Sequence, residues 1–131
     1  MRSKKISVFD RSAEDCSVAA EAMRELFSRA GIKAVVSEFT DYEKFAYFLR
    51  DNHVDMAFVG ITSPLDLEAA RVVRQIDADC PLFMASRDGD YGLEGYRLHA
   101  LDFIVKPVTV ARLREAVSRV GQFEGITGIA T

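Results

Sequence analysis

The sequence predicts an α/β fold in which a five-stranded parallel sheet carries helices on both of its faces. Three observations support this prediction. Strand-like and helix-like segments alternate along the 131 residues. The strand-like segments are apolar nearly throughout, which is typical of parallel strands that helices cover on both faces. The length suits one domain with a full hydrophobic core and is too short for two.

Five strands are predicted from short apolar runs that are bounded by polar or turn-forming residues. The third run is apolar apart from Asp55, and Gly60 ends it. The fifth run ends in Lys106 and Pro107, and proline cannot continue a central strand. The predicted strands are residues 5–9, 33–39, 54–59, 81–85 and 101–105.

Five helices are predicted from apolar residues spaced three and four positions apart. In the third helix, Leu65 and Ile76 are expected on the apolar face, and the fourth helix is short, at residues 91–99. Glycines end the first and last helices, so residues 1–121 are predicted to form the domain and residues 122–131 a loose tail. The residues expected to cap helix starts are Ser12 with Asp15, Thr40 with Glu43, Ser63 with Pro64, and Thr109.

The bulk composition argues against several classes of protein. A net charge of −3 gives no electrostatic basis for direct nucleic-acid binding by this domain. The first residues lead straight into a strand, and no apolar run approaches membrane-spanning length, so neither a signal peptide nor a membrane anchor is expected. Cys16 and Cys80 form no metal-binding pattern and are expected near opposite ends of the sheet, unpaired. A reducing cytoplasm fits this composition.

The polar residues that follow the predicted strands define a candidate site. The carboxyl ends of parallel strands meet at one edge of a sheet, where the sites of such folds lie. Lys106 is expected to point its ammonium across this edge, and the bond to Pro107 is of the type that can be cis. Asp55 lies at the opposite end of its strand, about 16 Å away. The residues expected at the edge are Asp10, Arg11, Gly60, Ser86 and Lys106.

Three segments are similar to the receiver domain of two-component response regulators. They are residues 103–107, residues 81–86, and residues 55–60 followed by Pro64. The resemblance covers residues 4–120, and residues 91–107 look most like receivers attached to LytTR-type DNA-binding domains. It implies the flavodoxin-like strand order 2-1-3-4-5. It also implies a pocket in which a strand-three aspartate accepts a phosphoryl group from a histidine kinase, beside a magnesium ion held by acidic residues.

The functional positions of that family carry over one by one. Lys106 matches the lysine that contacts the phosphoryl oxygens, and Pro107 matches the proline that follows it through a cis bond. Ser86 matches the hydroxyl position of the pocket. Phe103 matches the aromatic residue that reports the change to the helix-four face. Thr62 matches the residue whose backbone carbonyl binds the metal.

Two positions depart from the family pattern. Asp10 matches the first of the paired acids after strand one, but the second acid is Arg11 here and the phosphoacceptor position is Gly60. Glycine offers no nucleophile for an aspartyl phosphate. Magnesium needs hard oxygen ligands, and Asp10 is the residual candidate ligand. No metal or other cofactor is therefore expected, and Arg11 is interpreted as a fixed cation in the place of the metal.

The leading hypothesis is a pseudo-receiver of two-component phosphorelay signal transduction, which is not an enzyme, is not phosphorylated and acts by protein–protein interaction or dimerisation. The expected contact face consists of the fourth helix, the fifth strand and the fifth helix. The alternative for Leu93 and Tyr96 is that both pack on the sheet. A DNA-binding output domain outside this chain, with a role in transcription regulation, is a further expected partner. The candidate residues of the face are Phe103, Leu93, Tyr96, Leu98 and His99.

Two further interpretations stay open at this point. Arg11, Ser86 and Lys106 could bind a small anion and make the domain a ligand sensor, although a plain internal cluster of Asp10, Arg11 and Lys106 explains the same residues. An enzyme or flavin protein of flavodoxin-like topology would need hydroxyl and glycine residues after the first strand to bind a phosphate. Residues 10–15 are acidic instead and contain no glycine.

Overall fold

The computed structural model describes residues 3–121, which fold into five strands alternating with five α-helices. The predicted tail, residues 122–131, lies outside the described residues. The strands are β1 (Lys4–Phe9), β2 (Ala34–Phe39), β3 (Met56–Gly60), β4 (Leu82–Ser86) and β5 (Asp102–Val105). The helices are α1 (Ala13–Arg29), α2 (Tyr42–Asp51), α3 (Leu67–Ile76), α4 (Gly92–Arg97) and α5 (Val110–Val117).

The five strands of residues 3–121 are all parallel and lie in the order β2-β1-β3-β4-β5, which confirms the predicted topology. The register aligns their ends, since Phe9 pairs with Val59 and Gly60 pairs with Ala85. The residues that follow β1, β3, β4 and β5 therefore reach the same side of the sheet, which is called the carboxyl edge below. The predicted strand bounds differ from the observed ones by one or two residues.

Two hydrophobic cores cover the two faces of the sheet. Helices α1 and α5 bury Phe27 and Leu113 in the core that contains Phe58. Helices α2 and α3 bury Phe45 and Val73 in the other core. Strands β3 and β4 are buried along their whole length, which is why their sequences are apolar without alternation.

Side-chain caps begin α1, α2 and α5, and one of them differs from the prediction. The side chains of Ser12 and Thr109 each accept a backbone N–H from three residues on at 3.2 Å, as predicted. The capping box predicted at Thr40 is wrong, because α2 begins one residue later than that box requires. Asp41 is the N-cap, and its carboxylate accepts the Lys44 N–H at 3.0 Å.

The start of α3 also differs from the prediction. Residues Pro64–Asp66 form a 3₁₀ turn ahead of the helix. Because a 3₁₀ turn has a different pitch from an α-helix, Leu65 points to solvent and is 73% exposed, so its predicted place on the apolar face is wrong. Ile76, at the other end, is 41% exposed, and Leu67 begins the buried face instead.

Both cysteines are free and buried. Burial raises the pKa of the Cys16 thiol, and it raises the pKa of Cys80 to about 11. Both side chains are therefore thiols near neutral pH. None of the helices in residues 3–121 is long and apolar enough to cross a membrane.

Candidate functional site

A buried ion pair between Lys106 and Asp10 lies at the carboxyl edge. Lys106 Nζ is 2.7 Å from Asp10 Oδ2 and 3.0 Å from Asp15 Oδ2. The side chains of Lys106 and Asp10 are 3% and 1% exposed. The predicted orientation of Lys106 across the end of the sheet is confirmed, and its bond to Pro107 is cis. Two carboxylates compensate the buried ammonium, which a charge removed from water requires.

Asp10 also fills the space in front of Gly60. A Cβ placed on Gly60 would lie 2.0 Å from Asp10 Oδ2 and 2.5 Å from Asp10 Cγ, far inside van der Waals contact. Gly60 pairs with Ala85 in the buried centre of the sheet. The glycine is what lets the carboxylate approach the backbone of β3 so closely. The carboxylate at this point of the edge therefore belongs to Asp10, which follows β1. It occupies the volume that a side chain at position 60 of β3 would fill.

Three groups hold the Asp10 carboxylate in this position. Oδ1 accepts the Ser12 backbone N–H at 3.0 Å and lies 3.4 Å from Thr62 Oγ1, a long hydrogen bond. Oδ2 faces Lys106 as an ion pair, and no donor of residues 3–121 reaches this oxygen with hydrogen-bond geometry. The structure thus brings Thr62 to the site together with Asp10 and Lys106.

Arg11 turns away from Asp10 and binds Asp66. Its Nε and Nη2 atoms are both 2.9 Å from Asp66 Oδ1. Asp66 is buried, and its Oδ2 accepts two backbone N–H groups of the β3–α3 loop at 2.8 and 3.1 Å. The predicted cluster of Asp10, Arg11 and Lys106 is therefore wrong in its Arg11 member, because a second buried carboxylate binds the guanidinium. The interpretation of Arg11 as a fixed cation in the place of the metal stays a prediction.

The Ser86 side chain forms hydrogen bonds within the loop that follows β4. Its Oγ accepts the Gly89 N–H at 3.0 Å and lies 3.5 Å from Asp88 Oδ1. Its carbonyl oxygen accepts the Lys106 backbone N–H at 2.8 Å. The Ser86 hydroxyl is thus at the carboxyl edge as predicted, but it is bonded to residues that lead into α4.

The carboxylates of Asp15 and Asp66 compensate the cations of the edge, and they were not predicted as site residues. Asp15 lies in the first turn of α1 and binds both Lys106 and Arg87, whose Nη2 is 2.8 Å from Asp15 Oδ1. Both acids lie three residues after a helix cap, a place where an acid has an ordinary local role. Charge balance was the available signal, because a buried Lys106 beside Arg11 and Arg87 requires more than one carboxylate.

The donor set at the carboxyl edge does not fit a magnesium ion. Magnesium takes a near-octahedral shell of oxygen ligands. Gly60 supplies no carboxylate, Arg11 supplies a cation, and Asp10 is paired with Lys106. Across the described range, no group of three or more His, Cys, Asp or Glu side chains is placed to hold a metal ion. An anion meets a related obstacle, because Lys106 is ion-paired with two carboxylates and Arg11 with one.

A second candidate surface lies on α4 and β5. Leu93 and Tyr96 are 57% and 81% exposed, so the alternative that they pack on the sheet is wrong. Val105 is 57% exposed as well and was not predicted. Leu98 and Phe103 are half-buried and pack against the core of α2 and α3. Leu93, Tyr96 and Val105 are called the α4–β5 surface below.

Comparison with known proteins points to one family. The family model described as response regulator receiver domain matches residues 12–118. No curated protein matches the sequence.

Solved structures share the fold at low sequence identity. The chemotaxis protein CheY4 of Vibrio cholerae is 18% identical with a TM-score of 0.72, over 91% of this chain and 99% of that one. The REC domain of AraT, a response regulator from Geobacillus stearothermophilus, is 24% identical with a TM-score of 0.72, over 97% and 99% of the two chains. DrrB, an OmpR/PhoB homolog from Thermotoga maritima, is 18% identical with a TM-score of 0.71, over 94% of this chain but 54% of that one.

Proposed function

Since the chain belongs to the response regulator receiver domain family, we propose that it is a pseudo-receiver of two-component signal transduction. In this proposal the fold is kept, no phosphoryl group is accepted, and the domain acts by contact with another protein chain. The observation that carries the proposal is the Asp10 carboxylate seated against Gly60. The position that matches the family's phosphoacceptor has neither a nucleophile nor the room for one.

The chemistry of the pocket supports the loss of phosphorylation. An aspartyl phosphate forms when a carboxylate attacks the phosphorus of a donor, and Gly60 offers no carboxylate. Asp10 is the carboxylate beside it, but its Oδ2 is ion-paired with Lys106 and its Oδ1 accepts the Ser12 N–H. Its side chain is also 1% exposed, which leaves no approach for a phosphoryl donor. The contacts that stabilise the pocket therefore remove it from this chemistry.

The α4–β5 surface supports a role in protein contact. Exposed aromatic and aliphatic side chains with charges around them are typical of interfaces, and Tyr96 and Leu93 have this character. Glu94 and Arg97 place both signs of charge on the same helix. A surface that carries both signs can pair with itself across a twofold axis, the commonest symmetry of soluble oligomers. The partner we propose is a second copy of this chain.

Amide NMR of the isotope-labelled protein, titrated with magnesium and then with beryllofluoride, tests the loss of phosphorylation. Beryllofluoride mimics an aspartyl phosphate and needs both the acceptor carboxylate and the metal. The amides of Gly60, Ser86 and Phe103 are expected to stay in place. A receiver domain with its acids intact, titrated in the same buffer, shows that the reagent is active. Saturable shifts at the three amides would show that another acid, Asp10 first, is the acceptor, and would overturn the proposal.

We further propose that the domain spans residues 1–121 and works in the cytoplasm, without enzymatic activity, beside a DNA-binding output domain that regulates transcription. The similarity of residues 91–107 to LytTR-linked receivers supports the output domain. The solved chain of DrrB supports it as well, because the part that this chain matches is 54% of that chain.

A further inference from the structure

Helix α4 carries Leu93 and Tyr96, yet little of the helix is buried. It has six residues, Gly92–Arg97, and Gly95 is the buried one. So short a helix is unstable by itself, because few hydrogen bonds offset the entropy lost in ordering it. Its position on the sheet must therefore come from contacts with neighbouring elements.

Arg74, near the end of α3, binds the backbone at the carboxyl end of α4. Its Nε is 2.6 Å from the carbonyl oxygen of Leu98, and its Nη2 is 3.1 Å from that of His99. Its Nη1 binds the carbonyl oxygens of Asp77 at 3.2 Å and Cys80 at 2.7 Å in the α3–β4 loop. One half-buried guanidinium thus donates to four carbonyl groups of two separate segments.

The carbonyls that Arg74 binds beyond α4 lie where a helix end leaves acceptors unpaired. A cation is favourable there, because the carboxyl end of a helix carries partial negative charge. Hydrogen bonds from an ionised donor are also stronger than neutral ones. His99 has a φ of 57°, a left-handed conformation that residues other than glycine rarely adopt. By holding the His99 carbonyl, Arg74 stabilises the turn that ends the helix.

Other contacts of α4 lie at its start and its middle, and Leu98 at its end packs against the core of α2 and α3. The Ser86 hydroxyl holds the loop that leads into the helix through the Gly89 N–H. Gly95 packs against Phe103 so closely that a Cβ on Gly95 would lie 3.2 Å from the ring. These contacts set the height of the helix above the sheet, and Arg74 adds the side-chain hydrogen bonds at its carboxyl end.

We infer that Arg74 is a positioning residue that fixes α4 on the sheet and so presents Leu93 and Tyr96 as a preformed docking surface, with no covalent signal required. The use of that surface rests on the proposed function. The fixation of α4 by Arg74 is a property of the isolated domain and is testable without a partner.

Hydrogen exchange of the variant Arg74→Met, measured by NMR on dilute protein, tests the inference. The amides of residues 98–101 are expected to exchange about tenfold faster than in the wild type, because the charged hydrogen bonds that hold this turn are lost. The amides of α1 and β3 are expected to keep their rates. Arg71→Met is the matched control, since it removes an exposed arginine of the same helix that pairs with Glu68. Unchanged rates at residues 98–101, or equal acceleration throughout the domain, would overturn the positioning role.

A second variant and a second measurement separate this inference from the proposed function. Arg74→Lys keeps the charge but loses the forked donor geometry, so an intermediate exchange rate at residues 98–101 is expected. If the Arg74→Met protein fails to fold, Arg74→Lys is measured in its place. Sedimentation velocity of the same variants reports self-association. Local acceleration in a wild-type background that is monomeric would retain the role of Arg74 and contradict the second-copy partner. Self-association of the wild type, with unchanged exchange at residues 98–101 in the Arg74 variants, would retain the second-copy partner and contradict the role of Arg74.

Discussion

At the level of single residues, the position of Asp10 restricts which side chain residue 60 can carry. The Asp10 carboxylate occupies the space directly in front of Gly60. The carboxylate cannot leave that space without breaking its ion pair with Lys106. Separating a buried ion pair is costly, since it leaves an uncompensated charge away from water. The size of residue 60 is therefore coupled to the electrostatics of the whole carboxyl edge.

Gly60→Ala is expected to destabilise the protein by about 1–3 kcal/mol, the usual cost of overpacking a buried site. The new Cβ would meet Asp10 Oδ2, which Lys106 holds in place. Urea unfolding followed by circular dichroism measures the change. Gly92→Ala is the matched control, because a Cβ at that position meets nothing within 4 Å. If the two variants prove equally stable, the close packing of Asp10 on Gly60 is wrong.

Among the elements, β5 and α5 are joined by one carboxylate. Asp102 Oδ2 is 2.8 Å from Arg112 Nη1, and Oδ1 is 2.9 Å from Arg112 Nη2, a bidentate pair that Arg119 extends. Burial alone would raise the pKa of the Asp102 carboxyl. The hydrogen bonds and charge of Arg112 outweigh burial and hold that pKa below its ordinary value. The ion pair thus stabilises the attachment of the short edge strand to the last helix.

The Asp102 contribution to stability is expected to depend on pH. A carboxyl group whose pKa is lower in the folded protein stabilises it above the ordinary value of about 3.9, and this stabilisation is lost as the pH falls through the folded pKa. Asp102→Asn is expected to lower the unfolding free energy by about 1 kcal/mol at neutral pH, a modest amount because solvent screens a partly exposed pair. Near pH 3 the expected effect is smaller, because the wild-type carboxylate is then partly protonated.

Urea midpoints of the wild type and the variant, measured from neutral pH to about pH 3, check the Asp102 prediction. Asp79→Asn, which changes an exposed carboxylate before β4, is the control for a general effect of charge. A difference between wild type and the Asp102 variant that stays constant across this range would contradict the assignment.

For the whole molecule, the proposed contact between two copies makes the oligomeric state the property to measure. Tyr96→Glu places a charge in the middle of the α4–β5 surface and is expected to weaken self-association at least about tenfold. Tyr47→Glu makes the same change at a tyrosine of α2 that is 63% exposed, and it is expected to leave association unchanged. Sedimentation velocity over a range of concentrations distinguishes them. A monomeric wild type, or equal weakening by both variants, would contradict a dimer through α4 and β5.

The fold was predictable because the apolar runs of a parallel sheet are a property of the chain itself. Strands buried on both faces leave a continuous signal, and the strand ends then place Asp10, Gly60 and Lys106 at one edge. Leu65 was misplaced because a 3₁₀ turn and the first turn of an α-helix share the same sequence signals. The strand order came from the resemblance to receiver domains and was confirmed by the sheet.

The partners within the site were not predictable in the same way. Which carboxylate binds Lys106 depends on how α1 approaches the end of β5, and the spacing of apolar residues does not report that approach. Asp15 therefore stayed hidden as a partner of the lysine. Arg11 was assigned to Asp10, its neighbour in sequence, whereas the folded loop after β3 brings Asp66 to it.

The contact between Asp10 and Gly60 has a consequence for how such a pocket changes over evolutionary time. A substitution that returns an acid to position 60 collides with the carboxylate already there. A substitution that first clears position 10 leaves Lys106 with one carboxylate fewer and still provides no acceptor. Either change alone is expected to destabilise the pocket, by a clash in the first case and by an uncompensated charge in the second. The contact therefore couples the two positions, because an acid at position 60 fits only if the Asp10 side chain shifts away from it.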